Sequence, residues 1–179
     1  MSEYYRVDIA GLERDLLRCP ISDKLDIAAF ILFGDVEITV AAAAELLKKA
    51  PEFDYIITPE AKSIPLAYEM ARQSGKPYIV IRKGVKVYMG NPLEVSVRSI
   101  TTQKEQKLYL GEDEVNLIRG KRVLIVDDVI STGESLIAVR KLVEAAGAEE
   151  AATCAVLAEG DAKDRDDIIF LEPLPLFFK

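Results

Sequence analysis

Apolar positions along this chain follow two rhythms, and their alternation predicts the architecture. Phe53 to Thr58 is a short apolar run that reads as a buried strand. From Ile64 to Ser74 the apolar spacing becomes helical, with Ile64, Ala67, Tyr68 and Ala71 on one face and Gly75 as the stop. Tyr78 to Arg82 predicts the next strand, and Arg122 to Val126 is the clearest strand of the chain. Leu136, Val139, Leu142 and Val143 then mark a helical stripe closed by Gly147, and Ala151 to Ala158 gives a further strand. Strands alternating with helices in this way predict βαβ units and a mostly parallel sheet, an α/β fold.

Before this core, Ile38 to Ala50 predicts a helix that ends sharply at Pro51. Ile27 to Phe33 is apolar and fits either a strand or part of a small N-terminal cap within residues 1–35. Between Lys83 and Leu117 lies a long polar segment in which alternation shows only in patches, at Leu93 to Ser99 and Lys107 to Leu110. That is too long for an idle connection, so residues 83–117 are expected to form a flexible lid. No repeat or linker divides the 179 residues, which predict a single domain.

Composition narrows the chemistry. Half the residues are hydrophobic and 30% are charged, the balance of a folded chain. Thirty acidic residues against 23 basic ones give a net charge of −7, which argues against a nucleic-acid partner but leaves room for a small basic pocket. No apolar run approaches the roughly 20 residues needed to span a bilayer. The first residues lack the apolar core of a signal peptide, so a cytoplasmic protein with no membrane partner is expected. Cys19 and Cys154 lie far apart without CxxC spacing and read as two reduced thiols. Histidine is absent, which excludes Ser-His-Asp hydrolysis and imidazole acid–base chemistry.

The most informative stretch runs from Val123 to Ser135: a buried strand, Asp127 and Asp128 at its C-terminal end, a small-residue turn, and then a helix. Ligands of open parallel sheets bind beyond the carboxyl ends of strands. The turn Ser131-Thr132-Gly133-Glu134-Ser135 can aim backbone N–H groups, hydroxyls and the positive end of the following helix at one anion. Gly133 allows close backbone approach. Two adjacent carboxylates repel a phosphate, but they can accept hydrogen bonds from a vicinal diol or hold a hydrated Mg²⁺. Phosphate, diol and metal together describe a ribose 5-phosphate.

This stretch resembles the signature of type I phosphoribosyltransferases, which bind phosphoribosyl diphosphate (PRPP). The resemblance implies that fold, with a small hood and a lid, and implies that Asp127 and Asp128 face the ribose hydroxyls. It places Ser131 to Ser135 around the 5-phosphate and Val129 and Ile130 beside the base. The base is expected to stack under apolar groups of the cap, with Ile27 and Phe30 as the candidates. Thr58 to Ser63 resembles the pyrophosphate loop of the adenine and xanthine branches, with Glu60, Ala61, Lys62 and Ser63 in the family's order and Ser63 standing where those have Gly. In that loop the resemblance implies that the Glu60–Ala61 peptide bond can be cis.

Arg82-Lys83-Gly84-Val85-Lys86 matches the Arg-Lys-x-x-Lys pattern of the adenine branch, which implies that Arg82, Lys83 and Lys86 bind pyrophosphate, partly across a homodimer interface. In the lid, Arg98, Thr101 and Lys104 occupy the matching stretch, with Thr101 where the adenine branch has a Glu. The C-terminal stretch from Leu171 to Phe177 resembles that of adenine enzymes.

The implied reaction belongs to purine salvage: a purine nitrogen displaces pyrophosphate from C1 of PRPP, with Mg²⁺ held by PRPP and, through water, by Asp127 and Asp128. The motifs favour adenine as the base; the missing lid Glu favours xanthine or hypoxanthine. A PRPP-sensing regulator of the same fold is the alternative from another class, and no basic helix–turn–helix accompanies the motifs here. An enzyme of the same fold acting on uracil or orotate is a third reading, against which the match to the adenine and xanthine loops argues.

Overall fold

The structure is a computed structural model that describes residues 3–98 and 105–179. The chain opens with an antiparallel meander, β1 (Tyr4–Ile9), β2 (Leu12–Ser22) and β3 (Leu25–Ala29). Ala10 and Gly11 both have positive φ, 54° and 80°, the backbone that a two-residue hairpin turn requires. Helix α1 (Val36–Lys49) begins two residues before the expected position because the Asp35 carboxylate accepts from the Ile38 N–H at 3.1 Å. Arg14 of β2 fixes that cap, donating to Asp35 at 2.7 Å and 3.0 Å.

The core follows as β4 (Tyr55–Pro59), α2 (Ile64–Ser74), β5 (Tyr78–Ile81), β6 (Leu93–Arg98), β7 (Glu105–Leu110), α3 (Glu112–Ile118), β8 (Arg122–Ile130), α4 (Glu134–Ala145), β9 (Glu149–Glu159) and β10 (Ile169–Leu174). β11 (Phe177–Phe178) returns to pair with β3 and completes a four-stranded sheet with the meander. The central five-stranded sheet has the order β10-β9-β8-β4-β5 with every pairing parallel, as the βαβ pattern predicts.

Alternate residues of β8 serve opposite faces. Leu124 and Val126 pack with α1, α2 and the N-terminal sheet, whereas Val123 and Ile125 pack with α4, β7 and Ile118 of α3. Helices therefore cover both faces, and Leu46 of α1 is fully buried against the first of them. Leu46→Ala should lower the unfolding free energy by about 2–5 kcal/mol in urea titrations, since it removes buried methyl groups and leaves a cavity. A loss below about 1 kcal/mol would place α1 outside the core.

Two expectations change. On α2 the buried face carries Leu66, Ala67 and Met70, and Tyr68 is 55% exposed. Overlapping apolar stripes of equal period fit this sequence, and the Arg72–Glu69 ion pair lets Glu69 lie on the inner side. Residues 83–117 are also more regular than a polar loop. β6 and β7 form an antiparallel hairpin, Leu108 and Leu110 are fully buried, and α3 follows.

Candidate active site

β4 and β8 are parallel neighbours, with Ile57 opposite Ile125, so their C-terminal ends open on one edge of the sheet. Buried hydroxyls bind these ends together. Thr58 Oγ1 lies 2.8 Å from the Val126 carbonyl and 2.7 Å from Ser63 Oγ, which in turn donates to the Pro59 carbonyl at 3.1 Å. Ser63 is therefore committed to the fold of the loop: its hydroxyl spans from the end of β4 to the start of α2. The Glu60–Ala61 peptide bond in this loop is cis.

A cavity of about 220 Å³ opens above these strand ends, lined among others by Glu60, Ala61, Lys62, Lys83, Asp127, Asp128, Val129 and Ser135. Two stretches far apart in sequence, each expected to hold part of a phosphorylated ligand, thus share one wall. Asp127 Oδ1 accepts from the Asp128 N–H at 2.9 Å. Burial, and then the charge of Asp128, push the Asp127 carboxyl up to about 7. Asp128 is 3% exposed, and Lys62 Nζ stands 3.0 Å from its Oδ2. That ammonium is the charge partner of the buried Oδ2, which accepts no hydrogen bond from the described residues.

Next to it, Glu60 holds the basic corner at the end of β5. Its Oε1 accepts from the Lys83 N–H at 2.6 Å, and its Oε2 lies 3.1 Å from Arg82 Nε. Arg82 is also bridged to Tyr109 of β7 through both backbone groups, at 3.0 Å and 2.8 Å. Lys62 and Lys83 line the cavity, whereas Lys86 is exposed outside it, its N–H donating to Met89 Sδ at 3.2 Å.

On the far side, Gly133 takes φ +81° at the start of α4 and accepts from the Ile137 N–H at 3.0 Å. Thr132 Oγ1 accepts from the Glu134 N–H at 3.4 Å, and Ser135 reaches the cavity. Gly133 is the residue that can hold this backbone, since a side chain at such φ is strained.

The expected base contacts separate. Val129 lines the cavity, but Ile130 is 3% exposed and points into the core beneath α4, as strand alternation requires of its neighbour. Phe30 is 5% exposed and packed among core residues with α1, and Ile27 lies on β3 between β2 and β11; neither lines the cavity. A second cavity of about 450 Å³ lies instead at the ends of β9 and β10, lined by Tyr5, Gly160, Asp161, Lys163, Pro173, Leu174, Pro175, Leu176 and Phe178. Thr101 and Lys104 lie outside the described residues, and Arg98 ends β6 opposite Glu105. Gln106 of β7 also lines the first cavity, and no sequence signal marks it.

Among the described residues, no group of three or more His, Cys, Asp or Glu side chains is placed to hold a metal. Asp127 and Asp128 suit a hydrated hard cation whose remaining ligands come from elsewhere, not an all-protein cage. Cys19 and Cys154 are free thiols, and burial pushes Cys154 up to about 12, so it is inert. No helix among the described residues is long and apolar enough to cross a membrane.

Residues 36–174 match a family model described as the phosphoribosyl transferase domain. The chain is 37% identical over 146 residues to a hypoxanthine/guanine phosphoribosyltransferase of Methanococcus voltae, spanning 82% of this chain and 72% of that one. An HGPRTase-like protein of Halobacterium salinarum is 33% identical over 148 residues, spanning 83% and 73%. Among solved structures, an adenine phosphoribosyltransferase of Thermoanaerobacter pseudethanolicus aligns with a TM-score of 0.74 at 23% identity, over 88% of this chain and 95% of that one. One from Saccharomyces cerevisiae, solved with adenine and an imino-altritol bisphosphate, aligns with a TM-score of 0.63 at 20% identity, over 94% and 92%. At these identities the structures speak for the fold alone.

Proposed function

Because the chain belongs to the phosphoribosyltransferase family, we propose that it transfers the phosphoribosyl group of PRPP to a purine base and releases pyrophosphate. The observation that carries this reading is the Asp127–Asp128 pair, with Asp128 buried, which lines one cavity with Lys62 and Lys83 of the basic loops and Ser135 at the end of the small-residue turn. A sugar ring over β8 would give its diol to the two carboxylates and its 5-phosphate to Ser131 to Ser135. The diphosphate would then lie toward β4 and β5, where Lys62 and Lys83 line the cavity and Glu60 holds Arg82 in reserve.

The base would then sit on the opposite side. β9 and β10 follow β8 in the sheet, and the cavity at their ends is lined by Tyr5, Phe178, Pro173 and Pro175, apolar groups on which a purine could stack. Mg²⁺, bound to the diphosphate and reached by Asp127 and Asp128 through water, would supply charge neutralisation for the leaving group. The protein residues orient the ring, keep cations on the leaving oxygens and exclude water; no protein nucleophile is needed. C1 gains oxocarbenium character as pyrophosphate leaves, and the base nitrogen closes the new bond.

For the base, the sequence relatives favour an oxopurine, hypoxanthine or guanine, because they are a third or more identical over four-fifths of the chain. The Arg82-to-Lys86 pattern is the feature that favours adenine. We read the enzyme as a homodimer of purine salvage, with the exposed Val85, Val87 and Tyr88 beside that pattern as its apolar contact. Pyrophosphate release from PRPP, measured with hypoxanthine, guanine, xanthine, adenine, uracil and orotate, tests the assignment. Turnover should be highest with an oxopurine; turnover with a pyrimidine alone would overturn it.

A further inference from the structure

Arg165 lies on the small-residue loop from outside it. Its guanidinium is pressed against Gly133 so closely that a Cβ built there would stand 2.5 Å from Nη1 and 3.6 Å from Cζ. The other edge of the guanidinium is committed: Nε donates to Asp167 Oδ1 at 2.8 Å and Nη2 to Asp167 Oδ2 at 2.7 Å. That bidentate pairing turns Nη1 toward the loop.

Asp167 is itself shared. Arg140 of α4 donates to Asp167 Oδ2 at 2.6 Å and holds Glu150 of β9 through two bonds of 2.8 Å. With both guanidinium groups on it, the Asp167 carboxyl lies well below the usual carboxylate range and stays ionised. The row Glu150, Arg140, Asp167, Arg165 therefore alternates in sign from β9 to the loop, and its cationic end rests on Gly133. The loop itself, Ser131 to Ser135, carries one ionisable side chain, the acidic Glu134. An anion cradle with a carboxylate in its own sequence and no cation gains most from one delivered by another segment. Lysine could not do the same, because a single ammonium cannot hold Asp167 through two parallel bonds and still face Gly133.

We propose that Arg165 is a binding residue for the terminal phosphate of the phosphoribosyl ligand, held in place by Asp167. The proposal rests on the functional reading above, which puts that phosphate in the Ser131-to-Ser135 loop. Gly133 then meets two demands at once, a left-handed backbone and room for a guanidinium.

Titration calorimetry of the full chain with two probes, ribose 5-phosphate and pyrophosphate, separates this role from simple packing. In R165Q the Kd for ribose 5-phosphate should rise about 10- to 100-fold, the range of a lost hydrogen bond to a charged group. The Kd for pyrophosphate, bound at β4 and β5, should move less than about twofold, as for a distant independent site. R165K keeps a charge but loses the fork, so it should show the same one-sided loss at about a third of the size on the logarithmic scale, and it decides the matter if R165Q does not fold. No loss for ribose 5-phosphate, or an equal loss for both probes, overturns the proposal while leaving the enzyme reading intact. A wild-type protein that binds neither ribose 5-phosphate nor PRPP overturns both.

Discussion

Asp127→Asn should make the protein more stable at pH 8 and nearly inactive. In the fold the Asp127 carboxyl titrates at about 7, against an ordinary 3.8, because burial and the neighbouring Asp128 charge both disfavour its anion. The folded chain thus holds this proton more tightly than the unfolded chain does. Its contribution favours the fold fully below the ordinary carboxyl range and is lost as pH rises through about 7. An amide keeps the shape and removes the repulsion, so at pH 8 the variant should gain about 0.5–2 kcal/mol, the usual yield when a strained functional group is neutralised. The same change removes a charge from the sugar and metal face, where a positioned polar group is worth about a hundred- to a thousandfold in rate. Asp128→Asn should cost similar activity with a smaller stability gain, because it lifts the mutual repulsion but leaves the desolvation of the Asp127 anion in place. Its ion pair with Lys62 involves a side chain that is 56% exposed, and such pairs contribute about 0–1 kcal/mol. Urea titrations at pH 5 and pH 8 beside pyrophosphate-release assays check both signs. Wild-type activity in both variants would mean that the carboxylates take no part in the reaction.

The activity should also fall as the medium is acidified below neutral, since the protonated Asp127 presents a hydroxyl to the diol and no charge to the metal. A pH–rate profile of the wild type whose acid limb lies near 7 fits this; a limb near 4 would put the ionised pair at no disadvantage in the fold.

The parallel sheet and the Val123-to-Ser135 motif were legible because their signals are local. A β-branched run followed by a helical stripe within one stretch fixes strand, turn and helix, and ligand sites of such sheets lie at one predictable edge. β8 extends beyond Val126 through both aspartates because β9 pairs with it as far as Ile130, and a charged residue hides that continuation from any hydropathy reading. The N-terminal meander was illegible for another reason. β2 breaks strand alternation, with Glu13-Arg14-Asp15 followed by Leu16-Leu17, and β11 is only Phe177–Phe178, whose pairing with β3 spans most of the chain. Long-range placement also explains the misplaced base contacts. Phe30 looks like a ligand-facing aromatic in a cap, yet the cap packs directly on α1 and needs that ring in its core. Arg165 had no signal at all, because its importance lies in touching Gly133 from a segment thirty-odd positions later.

Cutting the tip of the β6–β7 hairpin should separate catalysis from binding. The hairpin cannot be removed whole: Leu108 and Leu110 are fully buried, and Leu93, Val95 and Val97 pack against the core that α4 covers. Its register does permit a clean shortening, because Arg98 pairs directly with Glu105. Replacing residues 99–104 by Asn-Gly would close the two strands through a two-residue turn whose twist matches theirs. The fold and the cavity walls at Asp127, Asp128, Lys62 and Lys83 are untouched by this change. PRPP affinity should therefore stay within about tenfold, or about 1.4 kcal/mol. Nucleotide formation should fall at least about a hundredfold, because an interaction made mainly in the transition state appears in the rate and not in ground-state binding. If residues 99–104 help to exclude water from C1, as the proposed lid role requires, a larger share of the PRPP consumed should appear as ribose 5-phosphate. Calorimetry with PRPP and chromatographic separation of nucleotide from ribose 5-phosphate read both effects. Equal loss of binding and turnover would make the tip part of the PRPP seat. A wild-type chain that binds PRPP tightly, yet forms no nucleotide with any purine across a Mg²⁺ titration, would instead describe a sensor built on the same sheet.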